Sequence, residues 1–141
     1  MNEDGIFLTI WLVGLIFVLY GVFSLTRSDF WVKMKAHFSY SGSLNDFPKS
    51  TSRSERIYFR EPDKKWNTWN LFKISMNEQG IFISNIMPSV LFPKLFIPWK
   101  EVELKEVKWL KLGKRVILTF QSYDGELAVS YKHHAAIRKS V

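Results

Sequence analysis

A chain of 141 residues without one cysteine has room for one ordinary domain, and it excludes disulfide frameworks, thiol catalysis and cysteine-ligated metal sites. The formal charge of +7 is unevenly placed, because Glu3 and Asp4 precede all 20 Lys and Arg, the first of which is Arg27. From Thr26 onward twenty basic residues stand against eleven acidic ones, a formal +9 that draws the domain toward anionic lipid, nucleic acid or an acidic protein.

Ile6–Leu25 (IFLTIWLVGLIFVLYGVFSL) is twenty residues with no charge and no proline, and fourteen of them are Leu, Ile, Val or Phe. At ~1.5 Å rise per residue the run reaches about 30 Å, the thickness of a bilayer's hydrocarbon core. Residues 1–26 are therefore predicted to form an extracytoplasmic tip and a transmembrane helix. The leader MNEDG has no basic n-region and no small-x-small site follows, which argues against a cleaved signal peptide. Arg27, Lys33 and Lys35 follow the span and no basic residue precedes it, so the N-terminus is expected outside and the domain in the cytoplasm. Gly14 and Gly21 share a helix face that is either open to a partner helix or simply tolerated in lipid.

Residues 27–38 have helical composition, with Ser28 or Asp29 as a cap. Phe30, Trp31, Met34 and Phe38 recur at roughly helical spacing, which suits either an interfacial amphipathic helix or a helix packed on its own domain. In the first reading Phe30, Trp31, Lys33 and Lys35 are the membrane-interface anchor. Residues 39–55 are rich in Ser, Gly, Asn and Pro and read as a linker.

From residue 56 the apolar period becomes two. Strands are predicted over Ile57–Phe59, Trp69–Met76 and Ile81–Ser84, with Asn77-Glu78-Gln79-Gly80 as a hairpin turn. Ile86–Phe92 and Leu95–Ile97 are broken by Pro88, Pro93 and Pro98, as edge strands or bends are. Trp99–Leu104 alternates with Val102 and Leu104 inward, the phase slips near Glu106 as at a bulge, and Val107–Leu112 continues. Arg115–Gln121 turns Val116, Leu118 and Phe120 inward, and Glu126–Lys132 returns after the turn at Tyr123-Asp124-Gly125. His133–Val141 reads as a terminal helix. The fold class expected is a single N-terminal transmembrane helix plus a mainly-β (α+β) domain over 56–141, an antiparallel bent sheet or small barrel with a C-terminal helix.

No catalytic constellation is legible. His37, His133 and His134 do not have chelating spacing, and neither H-E-x-x-H, G-x-S-x-G nor a phosphate-cradling glycine loop is present, so no metal, cofactor or enzymatic activity is expected. Glu101, Glu103 and Glu106 alternate with Lys100, Lys105 and Lys108 as a solvated strand face does. Lys105, Lys108, Trp109, Lys111, Lys114 and Arg115 crowd a hairpin around Gly113. They are the candidate lipid or partner contact, or else a charged edge that prevents sheet aggregation. A stacking sheet for nucleic acid is not legible, and no nucleic acid is expected.

Lys73–Val102 resembles small bacterial single-span membrane proteins of unknown function. The residues that carry the resemblance are Trp31, Lys35-Ala36 and Phe38, then Gly80-Ile81-Phe82-Ile83-Ser84, then Phe96-Ile97-Pro98-Trp99-Lys100-Glu101-Val102. The ending I-P-W-x-E-V is also similar to bacterial pleckstrin-homology-like and GRAM-like domains. The run Met87–Lys94 departs from the pattern by lacking the Arg and His that the relatives carry between prolines. The resemblance implies a bent seven-stranded barrel with a terminal helix, Trp99 in its core, at a bacterial inner membrane. Together these features lead to an expected non-enzymatic, membrane-anchored interaction module or accessory subunit with membrane lipids and a protein partner. The alternatives are anionic-lipid headgroup binding and an immunity protein that masks a partner.

Overall fold

The computed structural model describes residues 2–26, 29–43, 46–48, 53–86, 92, 94–111 and 113–141. The first helix, α1 (Glu3–Thr26), starts where the Asn2 side-chain oxygen accepts the Gly5 N–H at 3.1 Å. Glu3 and Asp4 in its first turn complement the helix dipole. Apolar side chains stay exposed all around it, from Phe7 and Trp11 to Phe17 and Tyr20. Among the described residues it is the one helix long and apolar enough to cross a membrane.

The second helix, α2 (Asp29–Phe38), follows with only two residues between them in the chain. Phe30, Trp31, Met34 and Phe38 are buried in the main core, so the helix packed on its own domain is the reading that holds. Phe30 stacks on Phe59 with ring centroids 4.4 Å apart, and Trp31 lies 5.4 Å from Phe92 and 5.8 Å from Phe72. The expected interfacial anchor is corrected at Phe30 and Trp31, whose rings face protein. Lys33 and Lys35 stay exposed on the far side. Burying such side chains stabilises by about 1.5–3 kcal/mol each, which favours the core over a water-facing surface.

Seven strands form one curled antiparallel sheet: β1 (Glu55–Arg60), β2 (Asn67–Met76), β3 (Gly80–Asn85), β4 (Leu95–Pro98), β5 (Val102–Leu110), β6 (Gly113–Phe120) and β7 (Glu126–Ser130). Their order is β4-β3-β2-β1-β7-β6-β5, two meanders joined where β1 pairs with β7. The expected fold class is the one found, with the third helix, α3 (His134–Ser140), closing the chain. The concave face holds α2 and Ile137 of α3 against Ile57, Phe59, Ile81, Ile83, Ile97, Leu118, Leu127 and Val129. Val116, Leu118 and Phe120 point inward as their alternation predicts.

Two bulges interrupt the ladders. One in β5 falls between Leu104 and Glu106, at the predicted phase slip, so the two runs expected there are one strand. The other, in β2, is between the pairs Ile57–Trp69 and Glu55–Phe72. Gly80 is needed for a close approach, since a Cβ there would sit 2.2 Å from the Ile97 carbonyl oxygen. Its turn is held by the Asn77 side-chain oxygen, which accepts the Gln79 N–H at 2.8 Å. Pro98 ends β4, an edge strand as the prolines predict. Most of the predicted Ile86–Phe92 segment lies outside the described residues.

The predicted linker is also corrected at its described residues, while 44–45 and 49–52 lie outside them. After α2 the Ser39 position bridges to Leu95, and the Tyr40 N–H donates to the Lys94 carbonyl at 2.8 Å. Phe47 packs edge-on against Phe82 at 5.3 Å. The domain therefore begins at α2 rather than at residue 56. Trp99 opens a 3-10 turn, half-buried against the core, and its indole donates to the Asn77 carbonyl at 2.8 Å.

Candidate interaction surface

The outward phase of β1 places Arg56, Tyr58 and Arg60 on the convex face of the sheet. There Tyr58, Ile117 and Ala128 make a second, small core, covered by Trp66 from the β1–β2 loop and Leu110 from the end of β5. The β5–β6 hairpin thus curls back over its own sheet. Its turn residue Lys111, at φ 50°, reaches Thr68 Oγ1 with its ammonium at 3.0 Å.

Four cations crowd the two aromatic rings of this small core. Arg60 lies 4.6 Å and Lys108 5.6 Å from the Trp66 ring, while Arg115 lies 4.9 Å and Lys111 5.6 Å from the Tyr58 ring. Each contact is the attraction of a cation for a ring's negative face. Arg115 also donates to the Arg56 carbonyl at 2.9 Å. The Arg115 Nε and the Tyr58 hydroxyl are buried without a hydrogen-bond partner among the described residues.

Glu126 is the acid that holds this face together. It pairs with Arg60 at 2.5 Å and with Lys105 at the β5 bulge. Burial raises its carboxyl pKa, but hydrogen bonds from Lys105 and Arg60 outweigh that and hold the group below the usual glutamate range. Lys108 meets Glu106 at 3.2 Å, an exposed pair of small energetic weight. Of the predicted contact residues, Lys105, Lys108, Lys111 and Arg115 thus share the convex face and are engaged within the chain.

Trp109 and Lys114 are different. They pair across the hairpin and point to its opposite side. Trp109 is 72% exposed. Lys114 lies 4.2 Å from the ring of Tyr131, which stacks on His134 at 5.0 Å. Trp109 and Lys114 are thus exposed together on this side of the hairpin, with the cation over the Tyr131 ring.

The histidines do not converge. His133 bonds Glu55 at 2.9 Å, His134 stacks on Tyr131, and His37 is exposed on α2. Lys132 joins the same carboxylate at 2.7 Å, so β1 is tied to the start of the C-terminal helix. Burial raises the Glu55 pKa, and the bonds from His133 and Lys132 more than reverse it, for a net lowering. No group of three or more potential metal ligands occurs among the described residues.

The reading of the sequence missed Tyr58, Arg60, Trp66 and Glu126. Arg56-x-Tyr58-x-Arg60 alternates and was a usable signal for the convex face, whereas Trp66 sits in a loop with no period to place it. Comparison with protein-family models, with curated proteins and with solved structures finds nothing that matches this chain.

Proposed function

We propose that the chain is a single-pass protein of a bacterial inner membrane, with its N-terminus outside. Its β-domain, of pleckstrin-homology-like or GRAM-like kind, is a non-enzymatic interaction module or accessory subunit on the cytoplasmic face. The observation that carries this is the joint between the helices. An apolar helix exposed on every side runs, two residues later, into a helix whose apolar face is inside the domain. A domain joined this way stays at the membrane and works on what comes to it there. The exposed pair Trp109 and Lys114 is the contact it offers, since exposed tryptophan beside a cation has the composition of binding hot spots.

A photo-crosslinking side chain in place of Trp109, in the full chain within its native membrane, tests the reading. A discrete protein adduct that disappears with Lys114→Glu is the expected result. Adducts with lipid alone would move the assignment to anionic-lipid headgroup binding. That second reading is favoured by the clustering of Lys105, Lys108, Lys111 and Arg115 on the convex face, where basic residues near an anionic leaflet are worth ~1 kcal/mol each. A phosphatase active only outside the cytoplasm, fused after Val141, should stay silent, and strong activity would reverse the topology.

A further inference from the structure

Leu71 combines three observations that do not fit a surface strand residue. It sits at the β2 bulge, where Asn70 and Leu71 fall between the paired residues Trp69 and Phe72. Its φ is 69°, the left-handed region that glycine or asparagine adopts far more readily than leucine. The residue is 47% exposed. Neither backbone preference nor core packing selects leucine at such a position, and outliers of this kind concentrate at functional sites.

Ile86 stands beside it, with its N–H donating to the Leu71 carbonyl at 3.3 Å and 56% of its surface exposed. The flanking residues Asn70, Lys73 and Asn85 carry no negative charge. The pair also lies close to the membrane end of the molecule. Trp31, in the first turn of α2, packs against Phe72, and Phe72 with its partner Asn85 directly adjoins Leu71 and Ile86. Only three residues of helix, one aromatic contact and one residue of strand separate Leu71 from the start of α2.

We propose that Leu71 and Ile86 form an apolar foot that rests in the headgroup region of the bilayer crossed by α1, so that the domain stands on the lipid in one orientation. This rests on α1 being a membrane span. The bulge turns Leu71 outward without withdrawing Phe72 from the core, and a lipid surface is the environment in which an outward leucine is favoured. Together with the α1–α2 joint, the foot gives the domain a second point of support.

The chain contains no cysteine, so single cysteines label uniquely. An environment-sensitive fluorophore is attached to Leu71→Cys, Ile86→Cys, Lys100→Cys or Val13→Cys in the full chain, in vesicles of phosphatidylcholine with one quarter phosphatidylglycerol. Lys100 serves as a control because it is exposed beside Trp99, which bonds Asn77 at the far end of the β2–β3 hairpin. Emission from the labels at 71 and 86 is expected to shift to shorter wavelength and to be quenched by headgroup-region nitroxide lipids, with none of this at 100. Val13 reports on the span separately through quenching by deep nitroxides. Quenching at 13 with water-like emission at 71 and 86 overturns the foot alone, and no quenching at 13 overturns the span and the foot together. In a second variant, Leu71→Asn is expected to reduce quenching at Ile86→Cys to the Lys100 level while the melting temperature of the full chain holds or rises. A lower melting temperature instead gives Leu71 a structural role and overturns the proposal.

Discussion

Glu126 holds Arg60 and Lys105 side by side on the convex face, where the two cations would otherwise repel each other. Its lowered pKa means that this contribution is full above the unfolded value of about 4.3 and is lost as pH falls through the lower folded value. Glu55, lowered in the same direction, adds to the same acid limb. Glu126→Gln is expected to cost about 1–2 kcal/mol at neutral pH, reduced from a fully buried pair because Lys105 is 45% exposed. Chemical denaturation from pH 3 to 8 checks it: the variant should lose less stability than the parent below pH ~4. Trp99 is half-buried rather than fully buried, so Trp99→Ala should cost about 2 kcal/mol, under the 3–5 of a core aromatic. A variant that melts within a degree of the parent would refute even that.

At the scale of elements, α2 behaves as part of the sheet's core. Met34→Ala should cost about 2–5 kcal/mol, because Met34 is 1% exposed. The stronger expectation compares two soluble fragments. Residues 29–141 should unfold cooperatively, whereas residues 39–141 should bind a hydrophobic dye and lack a thermal transition. β6 was legible because a strand with one buried face alternates, and Val116, Leu118 and Phe120 alternate cleanly. The location of α2 was not, because spacing identifies an apolar face without saying whether lipid or a sheet covers it. The curl of the β5–β6 hairpin was equally hidden. It depends on Leu110 meeting Trp66 and Lys111 meeting Thr68, contacts between distant residues that leave no periodic trace.

For the whole molecule, the uneven charge read from the sequence has a definite place in the structure. Acidic residues take up part of the basic convex face, while Trp109 and Lys114 are exposed on the other side of the hairpin. Charge reversal at Lys114 should therefore weaken capture of the proposed partner more than reversal at Lys111, whose ammonium is bonded to Thr68. Pull-down of the full chain from solubilised membranes, with each single variant, measures the difference. A larger loss at Lys111 would place the contact on the convex face instead.

The pairing of β1 with β7 joins the first strand made to the last. At roughly 5–20 residues per second, on the order of ten seconds of synthesis separates them. Throughout that interval α2 has been made but the sheet that buries Phe30, Trp31, Met34 and Phe38 is incomplete. On the proposed topology, in which α1 enters the bilayer first, the nascent chain has a lipid surface within reach to shelter that face. That topology implies two successive environments for α2, lipid during translation and its own sheet afterwards. A ribosome-arrested chain ending at Asp124, before β7, should leave Trp31 accessible to a lipid-borne quencher, and release of the completed chain should end that access.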